Sequence, residues 1–268
     1  MTGAAKGTVI KLLEDMGEAC AAYHDKHVRN LRVRRLQCDE IWCFVGAKKK
    51  TVTPEQKQEG WGDVWTWVGI DADTKLVVGY LVGGRDAGWA HDFMQDCASR
   101  IRGRVQVTTD GHRPYLEAVE GAFGMDVDYA MLQKIYGASD EPDRRYSPAK
   151  CIGCDMKVVI GNPDPAHVST SFVERQNLSM RMGMRRFTRL TNGFSKKAEN
   201  HAYAVALHYM HYNFCRVHQS LRVTPAMEAG IASTPWTVDD LIALLPKPVV
   251  KSSKNDWKII KKALGEIA

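Results

Sequence analysis

Leu36-Gln-Cys-Asp-Glu-Ile-Trp-Cys-Phe-Val45 is an apolar run rich in β-formers, with a carboxylate, Asp39, in its interior. The run reads as a buried strand, and a charge there is costly unless hydrogen bonds, a counter-charge or a metal compensates it. A second apolar run, Val105-Gln-Val-Thr-Thr-Asp110, ends on a carboxylate in the same way. A third acidic residue, Glu174, lies in Ser171-Phe-Val-Glu-Arg-Gln-Asn177, at the start of a helical pattern. Two strand-borne carboxylates and one from a helix can hold hard divalent cations through oxygen, with water and substrate phosphate completing the shell. That set points to phosphodiester chemistry. Each residue also has an ordinary explanation. Asp39 can be a strand-edge charge, Asp110-Gly111 a turn pair, and Glu174 the last member of a Ser171-x-x-Glu174 capping box.

Outward from these runs the chain reads as a mixed α/β layout. Residues 8–27 place apolar side chains at helical spacing behind Thr8, a candidate N-cap. Strands are expected at 36–45, 64–70 and 75–82, the last two joined by the turn-like Asp71-Ala-Asp-Thr74, which favours an antiparallel meander. Asp86 caps a helix carrying Trp89, Phe93, Cys97 and Ile101 at fourfold spacing, and the strand ending at Asp110 follows. Pro114 opens another helix, Val127 to Leu132 is a fifth strand, and Gln133 to Val168, with four prolines, reads as a long irregular stretch. Helices resume near Ser171 and from about Lys197 to Phe214. If the strands bearing Asp39 and Asp110 are neighbours, the two carboxylates meet near the sheet centre.

The 268-residue length allows one large domain or two small ones. The formal charge of +6 gathers in Arg29-Asn-Leu-Arg-Val-Arg-Arg35, Lys48-Lys49-Lys50, the span 181–189, Lys196-Lys197 and the C-terminal tail, clusters that suit a polyanion. No apolar stretch approaches membrane-helix length and the N-terminus lacks a secretory pattern, so a cytosolic protein is expected. Seven cysteines, mostly in apolar segments, read as reduced core residues. Cys151-Ile-Gly-Cys154 has zinc-like spacing, but no second pair follows, leaving His167 as a possible third ligand.

Several blocks together resemble bacterial insertion-sequence transposases of the short-element type, within the DDE superfamily of ribonuclease-H-like enzymes that includes retroviral integrases. They are Gln37-Cys-Asp-Glu-Ile-Trp-Cys-Phe-Val-Gly46, Thr109-Asp-Gly111, Ser169-Thr-Ser-Phe-Val-Glu-Arg-Gln-Asn-Leu178, Arg185-Arg-Phe-Thr-Arg-Leu-Thr-Asn192, and Tyr212-Asn-Phe-Cys-Arg-Val-His218 with Thr224-Pro-Ala226. The resemblance spans roughly residues 8–232. It implies a ribonuclease-H-like mixed five-stranded sheet flanked by helices, and metal-dependent cutting and joining of DNA. Asp39, Asp110 and Glu174 would be the catalytic and metal-binding triad for two Mg²⁺ ions, with Mn²⁺ as the alternative. Its partners would be element ends and target DNA, bound by a homo-oligomer at the bacterial nucleoid.

In that family a basic residue commonly lies seven positions after the glutamate, which is Arg181 here. Seven residues is close to two helical turns, so Arg181 shares a face with Glu174 and can meet the DNA backbone. A plain surface arginine is the alternative. Arg185, Arg186, Arg189, Lys196 and Lys197 are the further DNA-binding candidates. His218 can assist or be structural, and Trp61, Trp65 and Trp67 can stack on bases or fill the core. Glu40 is expected on the opposite sheet face from Asp39, outside the site. The expected division is a helical segment over 1–34 resembling part of a DNA-end-binding helix-turn-helix, a catalytic domain over 35–232 and a basic helical tail over 233–268. A structure-specific nuclease of the same fold and a non-catalytic DNA-binding remnant remain alternative readings.

Overall fold

The computed structural model describes residues 3–137, 151–188 and 192–246. Helix α1 (Lys6–His27) is followed by β1 (Arg35–Val45), a short α2 (Pro54–Gln58), β2 (Gly62–Asp71) and β3 (Val77–Gly83). Then come α3 (Ala87–Arg100), β4 (Val105–Thr109), α4 (Tyr115–Phe123), β5 (Val127–Tyr136) and β6 (Cys151–Ile160). Helices α5 (Ser171–Gly183), α6 (Ala198–Met210), α7 (Pro225–Glu228) and α8 (Val238–Ile242) complete the described chain. No helix among the described residues is long and apolar enough to cross a membrane.

The strands form one mixed sheet in the order β3-β2-β1-β4-β5-β6. β1, β2 and β3 pair antiparallel, β2 and β3 across a short turn and β1 and β2 across the longer stretch 46–61 that holds α2. The β2–β3 turn is fixed by Asp71, whose carboxylate accepts from the Asp73 amide at 3.0 Å and the Thr74 hydroxyl at 2.7 Å. β4 joins β1 in parallel through α3, and β5 joins β4 in parallel through α4. The neighbouring of β1 and β4 meets the condition under which Asp39 and Asp110 come together.

Alternation along β1 sorts its side chains between two cores. Leu36 and Cys38 join Trp67, Phe93, Val107 and Tyr115 under α3 and α4. Ile41 and Cys43 join Val173, Met180, Val205 and Tyr209 under α5 and α6. Met16, Cys20, Leu31 and Val33 belong to the first of these clusters, so the N-terminal residues share the core of the sheet.

Three expectations need correction. Among the described residues the sheet has six strands, because β5 continues to Tyr136 and β6 pairs antiparallel with it inside the stretch read as irregular. β6 is an edge strand whose residues are mostly exposed on both faces, so it carries no apolar alternation to betray it. The last long helix stops at Met210, and a wider π-type turn over His211–Cys215 replaces its expected end. The Asp86 cap is present, its carboxylate accepting from the amides of Gly88 and Trp89. Thr8 is no cap: α1 starts earlier, behind Ala5.

Candidate active site

β4 ends at Thr109, paired with Cys38 of β1, while β1 runs on. Beyond that register the β4 side of β1 is open until Ser195 bridges Val45, and Asp110 leaves the sheet at its rim. Its Oδ1 accepts from the His112 amide at 3.0 Å, which holds the turn. Asp39 points toward α5, where its Oδ2 accepts from Asn177 Nδ2 at 2.9 Å and its Oδ1 from the Glu40 amide at 2.9 Å. Glu40 points to the other face, where Tyr115 Oη donates to its Oε2 at 3.2 Å and Arg85 Nε to its Oε1 at 2.6 Å.

Glu40 does lie on the opposite face, but it is not outside the site. Carboxylate oxygens of Asp39, Glu40 and Asp110 lie within 4.8 Å of one another, a group that could hold a metal ion. Alternation sets where a side chain starts, whereas the open rim lets the longer glutamate reach Asp110. Burial, then the charges of Glu40 and Asp110, push the Asp39 carboxyl up to about 7. Burial and Asp110 raise Glu40 as well, against the pull of Arg85.

Glu174 approaches from the other wall. It sits in the first turn of α5, where Thr170 Oγ1 donates to its Oε1 at 2.5 Å and Lys134 of β5 pairs with its Oε2. Among the described residues the capping box is not formed. The start of α5 is held by a side chain from β1: the buried Gln37 Oε1 accepts from the amides of Phe172 at 2.9 Å and Val173 at 3.3 Å. Gln37 thus ties the helix carrying Glu174 to the strand carrying Asp39. Replacing it with leucine leaves two helix-start N–H groups without that acceptor, and a stability loss of about 1–3 kcal/mol is expected in urea unfolding. An unchanged midpoint would show that the tie is dispensable.

Asp39, Glu40, Asp110, Glu174, Asn177 and Arg181 line one cleft of about 850 Å³. Asn177 is 7% exposed, and its Oδ1 has no hydrogen-bond partner among the described residues. A neutral oxygen therefore stands beside the carboxylates. From the sequence, Glu40 was placed outside the site and Asn177 was not singled out. The Asn177 signal was its position three residues after Glu174, on the same helix face.

The other candidates are placed elsewhere. Arg185, Arg186, Lys196 and Lys197 line a separate groove between α1 and α6. Within it Arg186 Nη1 donates to Ser195 Oγ at 3.0 Å and Lys196 lies over the Phe194 ring. Arg189 lies outside the described residues. Trp67 is fully buried and fills the core, while Trp65 carries the Arg85 guanidinium 4.5 Å from its ring centre. Cys151 and Cys154 are exposed on β6, and His167 pairs with Asp164 at 2.7 Å. No protein-family model matches the chain, and no curated protein matches it significantly.

Proposed function

We propose that the chain is a ribonuclease-H-like DNA transposase that cuts and joins DNA with divalent metal. The observation that carries this reading is the convergence of Asp39, Asp110 and Glu174, from two adjacent strands and a helix, on one cleft that also holds Arg181. The strand order supports the fold assignment, with β6 as an added edge. The donor set fits the cation: it is all oxygen, it is carboxylate-rich, and the buried Asn177 Oδ1 offers one more neutral ligand.

In this reading Asp39 and Asp110 are the shared anionic ligands, and Glu174 completes the set from the far wall. Two Mg²⁺ ions, with Mn²⁺ as the substitute, would supply activation of water and neutralisation of the attacking and leaving oxygens. Lys134 provides the positive charge that Glu174 meets before cations arrive. Asn177 holds the Asp39 carboxylate in orientation, and Arg85 with Tyr115 does the same for Glu40. Arg181 meets a phosphate next to the scissile one. Water attacks first and frees a 3′-hydroxyl, which then attacks target DNA in the same cleft, so no protein nucleophile is used. Acting on two element ends at once calls for a homo-oligomer on DNA.

The test is incubation of the protein with labelled duplexes from either side of its own reading frame, a target plasmid, and Mg²⁺ or Mn²⁺. Release of a 3′-hydroxyl end and its joining to the plasmid are expected. Cleavage that never proceeds to joining, even from a precut end, would replace this reading with a structure-specific nuclease. DNA binding with neither step would replace it with a non-catalytic binding protein.

A further inference from the structure

Helix α5 separates two clefts of opposite character. At about 100° per residue, Glu174, Asn177 and Arg181 face the acidic cleft, whereas Phe172, Arg175, Gln176 and Ser179 face away from it. On the far side, α5, the β2–β3 turn and the chain after the His211–Cys215 turn enclose a smaller cleft of about 230 Å³. Lys75, Arg175, Arg216 and His218 line it, and among the described residues no carboxylate does.

Beneath Lys75, Arg175 and Arg216 lies Gln176, only 3% exposed, whose Nε2 has no hydrogen-bond partner among the described residues. A buried N–H group left without an acceptor is costly and calls for a partner. Arg175 and Arg216 are exposed and form no ion pair among the described residues. Lys75 is fixed at the mouth, its Nζ 3.5 Å from the Phe172 ring centre and donating to the Ala72 carbonyl. The carboxylates nearest Lys75 are engaged elsewhere, Asp71 within its own turn and Asp73 with Arg35.

We propose that this cleft is a binding site for a phosphate group, which accepts from Gln176 Nε2 and is neutralised by Arg175, Arg216 and Lys75. An oxyanion satisfies the buried donor and the convergent positive charge together, which water cannot. The volume is several times the share of one water molecule, enough for a phosphate and its attached ester groups. The source is a small phosphate or the DNA backbone, and only the second rests on the transposase reading. A helix with its side chains is about 10–12 Å across. One DNA strand can therefore present its scissile phosphate to the acidic cleft and a neighbouring stretch to this one.

The experiment follows the Gln176 side-chain amide by NMR in ¹⁵N-labelled protein, at constant ionic strength set with chloride. Inorganic phosphate is titrated first, then a duplex from beside the protein's own reading frame. The comparison variant is Arg175→Ala/Arg216→Ala, which removes two exposed side chains and leaves the fold. A saturable shift with phosphate is expected, weakened at least about tenfold in the variant, a difference of about 1.4 kcal/mol. Duplex affinity should fall by a similar factor while Mn²⁺ binding in the acidic cleft is unchanged. A response to phosphate but not duplex supports the anion site and assigns it to a small phosphate. A response to duplex alone assigns it to the DNA backbone. No response to either, or an equal response in wild type and variant, overturns the proposal. Absence of cleavage and joining by the wild type, with its Gln176 response intact, would instead count against the transposase reading alone.

Discussion

Asp39→Asn, Asp110→Asn and Glu174→Gln are each expected to lower Mg²⁺-dependent strand cleavage by at least about a thousandfold, some 4 kcal/mol of lost transition-state stabilisation. Each change keeps the side chain's shape and removes one anionic ligand from the cleft. Joining of a precut end should fall with cleavage, since the proposed mechanism runs both steps on the same groups. Duplex binding should persist, because the basic side chains are untouched. Glu40→Gln belongs with this set: its carboxylate lies within 4.8 Å of Asp39 and Asp110, so it too is expected to lose activity. Single-turnover cleavage separates these outcomes, and near-wild-type Mg²⁺-dependent cleavage by any one variant removes that residue from the site.

The same substitution at Asp39 should stabilise the metal-free protein. Its carboxyl is pushed up to about 7 by burial and by Glu40 and Asp110, against an ordinary value near 3.8. Between those values the folded chain holds the proton and the unfolded chain does not. Folding stability contributed by this group is therefore fully present at low pH and is lost as pH rises toward 7. Asp39→Asn carries no such penalty, so its advantage should be small near pH 4, grow through pH 7 and then level off. With partial solvent access at the rim, about 1–3 kcal/mol is expected at pH 8. That corresponds to roughly 2–4 °C per kcal/mol in a domain of this size. Adding Mg²⁺ should raise the melting temperature of the wild type and not of the variant. A variant less stable than wild type at pH 8 without metal would mark Asp39 as a structural carboxylate.

Much of this arrangement was legible in the chain because burial writes a period into sequence. β1 was visible from Leu36, Cys38, Ile41 and Cys43, and α3 from Phe93 and Cys97, since each of these side chains fills a core. Asp39 and Asp110 stood out because charge at such places violates that pattern. β6 was invisible for the opposite reason: with both faces exposed, nothing selects its residues by period. Glu40 was misjudged because strand alternation describes the direction of a Cβ and not the reach of a glutamate at an open rim. Gln37 acts through a contact with a helix distant in sequence, which no local spacing records, and Asn177 carried only its helix-face position beside Glu174. The basic residues after Arg181 share composition with it, yet the turn at Met184 carries Arg185 and Arg186 to another groove.

The most direct test of the acidic cleft as a metal centre is Mn²⁺ titration of the duplex-bound protein, read by the electron paramagnetic resonance signal of the free ion. The wild type is expected to remove about two ions per chain from solution in a saturable step. Asp39→Asn/Asp110→Asn, with duplex still bound, should leave them free. A wild-type curve that superimposes on that of the double variant would contradict the assignment.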